Sequence, residues 1–230
     1  MHTISDRQSK TDRRGFLRRV GAVGAAAGTL PFSGTAFAAE NRVSAKKTGR
    51  SERTWQTAAA LRDLWVGHIF WVRNVSLAAL SNNDAAMKAA EQQAVGNAQS
   101  IAAAVEPFYG AAAQASFFKL LAGHYSAVKA YLLAAVEDSV SAQEAATQSL
   151  SSNAEEIAIF LSKANPHLSK DGLHGLLLAH GGHHIQQIQQ FKGHEYDAEA
   201  RTWENMKNHI YEIADATADA LAKQFASRFR

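Results

Sequence analysis

The chain has 230 residues, 47% hydrophobic and 20% charged, with a formal net charge of +3. That suits one domain, or at most two small ones, and excludes a disordered or collagen-like chain. Without cysteine, disulfides, zinc fingers, iron–sulfur clusters and thiol catalysis are excluded; three prolines, long Ala, Leu, Gln and Glu runs and ten histidines describe a mostly helical chain rich in imidazole.

Residues 11–19 read TDRRGFLRR, followed by a mildly apolar Ala/Gly-rich stretch from Val20 to Leu30 and then by PFSGTAFAAE. Paired arginines followed by Phe-Leu resemble the twin-arginine export signal, with Asp12 displacing the usual serine or threonine by one place. Ala36-Phe37-Ala38 offers a small-x-small cleavage site. A transmembrane anchor fits less well, because the apolar stretch is short, glycine-rich and interrupted by Pro31. The resemblance implies a signal peptide over 1–38, the Tat export machinery as a partner, a periplasmic or secreted location, and no stable membrane anchor after cleavage. Cleavage removes six of the 24 basic and two of the 21 acidic residues, leaving 18 and 19 and a net charge of −1. Nothing in that balance is a nucleic-acid footprint. The basic run from Arg42 to Arg53 reads as a solvated linker, which gives a flexible 39–52 ahead of a single domain at 53–230.

The remaining chain reads as helices separated by short breaks. The first runs from about Arg53 to Leu80, with Leu61, Trp65, Val72, Val75 and Ala79 at helical spacing. Ser81-Asn82-Asn83-Asp84 ends it and caps the next, which reaches Glu106 before Pro107 and the turn-like Tyr109-Gly110. A third, from about Ala112 to Glu137, carries Phe117, Leu120, Leu121, Val128, Tyr131 and Leu132 as its inward stripe. Ser141 and Glu144 form a capping-box pattern opening a fourth, which ends before Asn165-Pro166. The fifth starts after Ser169 and continues to Phe191, broken or bent near Gly181-Gly182. The last spans about Asp197 to Phe229. No strand alternation is present, so the expected fold class is all-α.

Side by side, the helices expose an internal repeat of 56 residues. LRDLWVGH (61–68), FFKLLAGH (117–124) and LHGLLLAH (173–180) align without gaps, each ending in a small residue followed by histidine. Asn97-Ala98 with Ile101-Ala102 matches Asn153-Ala154 with Ile157-Ala158, and Ile213-Ala214 holds the corresponding place in the third copy. The expected architecture is a helical bundle of three tandem α-hairpins, about six helices. In three consecutive hairpins the long helices run parallel, so equal positions lie at equal heights.

His68, His124 and His180 occupy one such position, each on the apolar stripe. A lone histidine there is ordinarily a hydrogen-bonded core residue. Three in register point instead to a metal, because burying three unliganded imidazoles needs three separate partners. His184 lies one turn beyond His180 on the same face and adds a fourth candidate. Imidazole donors favour zinc, copper or nickel as the divalent ion. His174, His183 and His194 read as outer or exposed residues. Asn97, Asn153 and His209 read as capping or packing positions, and Asp63 sits at a poor helical offset for orienting His68. Ferritin-like, hemerythrin-like and zinc-protease templates fail for want of matching carboxylates.

LLLAHGGHHIQQI (176–188) resembles the metal-binding helix of the DinB and YfiT-like bundle family, whose pattern is His-Gly-x-His-His-x-x-Gln-Ile. The resemblance implies His180 and His184 as ligands, Gln187-Ile188 as the close of the motif, and a third ligand at His124, supplied by LLAGH. The Arg and Gly that the family places before the Gln are Ile185 and Gln186 here, and the three-hairpin repeat is foreign to that fold. LWVGHIFWVR (64–73), PFYG (107–110) and FLSKANP (160–166) are similar to a family of small bacterial helical proteins that brings no activity with it. Three functions remain open. One is an exported protein that binds a divalent metal. Another is a DinB-like metal-dependent enzyme of hydrolase or thiol-transferase type. The third is a metal-free structural or interaction module. The absence of an evident general base beside the histidines weighs against the enzyme.

Overall fold

The computed structural model describes residues 50–230; the expected signal peptide and most of the expected linker lie outside them. Six long helices follow in order: α1 (Glu52–Leu80), α2 (Asp84–Ala103), α3 (Ala111–Val136), α4 (Val140–Ala164), α5 (Lys170–Lys192) and α6 (Tyr196–Gln224). A single helical turn, Glu106–Tyr109, links α2 to α3, and a 3₁₀ turn, Ala226–Arg228, follows α6. No strand occurs among the described residues, and no helix there is long and apolar enough to cross a membrane. The protein is an all-α helical bundle.

Each helix packs on its neighbours in chain order and α6 returns to α1, while α1, α3 and α5 also touch one another. The long helices of the three hairpins therefore form an inner triangle, and α2, α4 and α6 sheathe it. Apolar layers repeat at the 56-residue interval along the triangle: Leu61, Phe117 and Leu173, then Trp65, Leu121 and Leu177, all buried. Beyond the histidines come Val72 and Val128, with His184 in the third copy, and then Val75 and Tyr131, with Gln187 in the third copy. Because the layer spacing is helical and the repeat equal, matching residues meet at one height.

The loops carry the same repeat. Asn82, Asp138 and His194 lie 56 residues apart and all have positive φ, at 54°, 57° and 57°. These residue types tolerate the left-handed region better than most. The next N–H in each case reaches back five residues to a helix-end carbonyl: Asn83 to Ala78 at 2.9 Å, Ser139 to Ala134 at 2.9 Å and Glu195 to Gln190 at 2.8 Å. Three identical reversals set the three hairpins in one register. At the opposite end, the Tyr109 hydroxyl donates to Gln224 Oε1 at 2.7 Å and accepts from Asn165 Nδ2 at 3.1 Å, tying the connections together.

Several local expectations are corrected. The residues closing the expected linker belong to the domain, since Arg50 pairs with Asp219 and Asp215 and the Ser51 hydroxyl caps α1 by accepting from Thr54 N. The second helix stops at Ala103 rather than Glu106, and Pro107 sits near the start of the separate turn, where its missing N–H costs nothing. Ser141 and Glu144 form no capping box: α4 begins earlier, behind Ser139, with no side-chain cap. The sixth helix ends at Gln224, short of Phe229. Gly181-Gly182 does not break α5, which is one continuous helix. Gly181 is there for closeness, since a Cβ would stand 2.9 Å from Leu150 Cδ2 on α4.

Candidate metal centre

His68 on α1, His124 on α3 and His180 and His184 on α5 meet in the middle of the inner triangle. All four are buried, and one ring nitrogen from each lies within 4.8 Å of the others. His180 Nε2 is 3.4 Å from His68 Nε2 and 3.2 Å from His184 Nε2. A tetrahedral ion with metal–nitrogen bonds of about 2.0–2.1 Å separates its ligand atoms by roughly 3.3 Å, so these spacings are those of ligands around one ion. The His124 ring lies near parallel to His180, with centroids 5.3 Å apart.

Polar satisfaction tests the fit. Both nitrogens of His124 and the Nδ1 of His180 are buried without a hydrogen-bond partner. Such orphans are uncommon in a folded interior and cost about 1–3 kcal/mol each. The layer is bounded by apolar residues on both sides, Trp65 and Leu121 above and Val72 and Val128 below. Trp65 also presents edge-on contacts to His68 and His180. Four convergent ring nitrogens, with unpartnered buried nitrogens on His124 and His180, fit a soft-to-borderline divalent cation.

The rings are held neutral, the state that binds metal. Burial, and then the nearby His124 ring, pushes His68 down to about 3. Burial pushes His124 down to about 4, opposed by Asn153 beside it. His180 and His184 are depressed well below the usual histidine value, again by burial first and then by neighbouring imidazoles. No carboxylate joins the cluster among the described residues.

The other histidines stay apart. His167 and His194 are exposed, and His194 bonds the Tyr196 hydroxyl at 2.9 Å. His183 is half-buried and packs against the ring of His209 at 5.6 Å. His174 is half-buried on α5 and lies outside the cluster. Asp63 is exposed and does not orient His68.

Asn97, Asn153 and His209 are not caps but mid-helix ties across each hairpin. Asn97 Nδ2 donates to Leu64 O at 2.9 Å, Asn153 Nδ2 to Leu120 O at 3.0 Å, and His209 Nε2 to Leu176 O at 2.7 Å. Each acceptor is the carbonyl four residues before a clustered histidine. The 56-residue spacing of the three ties is the signal that could have revealed them.

A second buried group escaped sequence reasoning altogether. Glu199, 2% exposed, receives both arms of Arg73 at 2.7 Å and Gln187 Nε2 at 2.9 Å. The Arg73 guanidinium also lies over the rings of Phe191 and Trp203, at 5.1 and 5.5 Å. Arg73 follows His68 on α1 and Gln187 follows His184 on α5, so this network locks α1, α5 and α6 just beyond the histidine layer. Its partners sit 126 and 12 residues apart in sequence, with no pattern to join them.

The structure thus brings together all four sequence-nominated histidines, and both ligand sets that the sequence suggests fall within the cluster. Against known proteins, the chain matches no family model, no curated protein and no solved structure.

Proposed function

We propose that this is an exported helical-bundle protein that holds one divalent metal ion, zinc, copper or nickel, through His68, His124, His180 and His184. The observation that carries the reading is the approach of four buried ring nitrogens to within 4.8 Å, with spacings of 3.2 and 3.4 Å around His180. Four protein donors fill a tetrahedral shell, the mark of a closed site rather than one with an exchangeable place for water. Sequestering or carrying the ion therefore suits the geometry better than DinB-like hydrolase or thiol-transferase chemistry. Such chemistry would also need a base beside the ion, and the buried Glu199 is already engaged by Arg73 and Gln187. The Arg13-Arg14 pair supports export, and the twin-arginine route carries already folded proteins, often with a cofactor or metal inserted first.

Elemental analysis of protein recovered from its native compartment tests the reading, with a His68→Ala/His124→Ala/His180→Ala variant as control. About one equivalent of one transition metal is expected in the natural protein and none in the variant. His174→Ala, His194→Ala and His209→Ala should retain full stoichiometry. Native protein free of transition metal, and unable to take up zinc, copper or nickel, would overturn it.

A further inference from the structure

The three ties across the hairpins differ in what they leave over. An asparagine that gives its NH₂ to a carbonyl must turn its Oδ1 away from that carbonyl, because the reversed amide would set two oxygens face to face. Asn97 and Asn153 are both held this way, and in both the Oδ1 is buried and lacks a hydrogen-bond partner. His124, on the helix to which Asn153 is tied, has an unpartnered buried Nδ1. The Asn153 amide lies against the turn that carries His124, since a Cβ at Gly123 would stand 3.1 Å from its Nδ2. A buried acceptor and a buried ring nitrogen, both without partners, thus lie on the two helices of one hairpin.

The chain makes room for this arrangement. Gly67 and Gly123 precede His68 and His124, and a Cβ on either would meet the asparagine amide, at 2.8 Å for Asn97 Nδ2 and 3.1 Å for Asn153 Nδ2. Where the third hairpin has Ala179 in place of glycine, the asparagine is replaced too, by His209. Its longer ring still reaches the Leu176 carbonyl but packs beside His183. Glycine and asparagine therefore occur together, at the two hairpins that supply one clustered histidine each.

We infer that Asn153, and by the repeat Asn97, are positioning residues for the metal centre: each accepts the Nδ1–H of its hairpin's histidine, His124 or His68, and so presents the bare Nε2 to the ion. This rests on the metal reading above. The assignment agrees with His68, whose Nε2 already points into the cluster toward His180. It also explains why the amide is anchored at its far end. A second bond to the Leu120 or Leu64 carbonyl fixes the oxygen in place, so the ring cannot rotate or change tautomer without losing a hydrogen bond. Outer partners of this kind typically change metal affinity 10- to 100-fold.

The test uses the full-length chain with cobalt(II) as a spectroscopic probe. Nitrogen NMR of the metal-free wild type should show His124 with its proton on Nδ1, a measurement that needs no variant. Asn153→Leu, similar in size but without an acceptor, should weaken cobalt(II) binding roughly 10- to 100-fold and let His124 populate both tautomers. Asn153→Asp keeps the acceptor and should hold the Nδ1–H tautomer and bind cobalt(II) within about threefold of wild type, even though it loses the tie to Leu120. A merely structural role would make both variants equally unstable and leave both affinities unchanged. Wild-type His124 protonated on Nε2, or an Asn153→Leu protein that binds cobalt(II) like wild type, overturns this inference alone. A wild type that binds no cobalt(II) overturns the metal reading and this one with it.

Discussion

Acid should unfold the metal-free protein over a narrow range, and the four buried imidazoles set the scale. A histidine in the unfolded chain titrates near 6.5. In the fold, burial holds His68 at about 3 and His124 at about 4, with His180 and His184 also well below their usual value. The folded values lie below the unfolded one, so unfolding takes up protons. The stability they confer is complete above about pH 6.5 and declines as the pH falls, for His124 until about 4 and for His68 until about 3. Each such group removes about 1.4 kcal/mol per pH unit. From pH 6.5 to about 5, His68 and His124 together remove roughly 3 kcal/mol, and His180 and His184 add to the loss in the same direction. That is a large share of the about 5–15 kcal/mol that a domain holds in total, so half-unfolding is expected once the pH falls below about 5. Urea unfolding followed by circular dichroism at a series of pH values, with chelator present, measures the slope. His184→Val is the companion variant, since Val72 and Val128 fill the same place in the other hairpins, and it should remove about one proton from the uptake. A loss below about 1 kcal/mol between pH 6.5 and 5, or an unchanged slope in His184→Val, would refute the reasoning.

Two further outcomes follow from other parts of the chain. Arg73→Met strands the Glu199 carboxylate, 2% exposed, without its cation. It should cost about 3–5 kcal/mol, a fall in melting temperature of roughly 6–20 °C for a domain of this size. Adding Glu199→Gln should recover most of the loss, and an equal fall in both proteins would show that the ion pair is not the cause. Replacing Arg13 and Arg14 together by lysine should leave unprocessed precursor in the cytoplasm; fractionation showing normal export would dismiss the twin-arginine signal.

The class of fold and the histidine cluster were both legible in the sequence, and for one reason. A 56-residue repeat on parallel helices converts equal sequence position into equal height, so His68, His124 and His180 could be placed in one layer by counting. His184 followed from helical periodicity alone. The helix ends proved less legible: the Ser141–Glu144 pattern forms no cap, and α5 runs on through Gly181-Gly182, with Gly181 packed close to Leu150. Capping is decided by a few competing hydrogen bonds, and a helix under tertiary contact continues through residues that would end it in isolation.

What only the tertiary structure decided are the contacts between residues far apart in the chain or in parts of the repeat that differ between copies. The Arg73–Gln187–Glu199 network is not repeated in the other hairpins: Lys129 stands where Arg73 does but pairs with Glu91, Gln143 and Met87 stand where Glu199 does, and Val75 and Tyr131 stand where Gln187 does. Their meeting depends on α6 closing back onto α1. Asn97 and Asn153 did share the repeat, but their role depends on which way an amide faces, and a sequence carries no record of that. Periodicity determines height and face, because the helix is a regular object; it cannot determine which polar atoms across a packed interface find partners, because that is settled only when the hairpins close on one another.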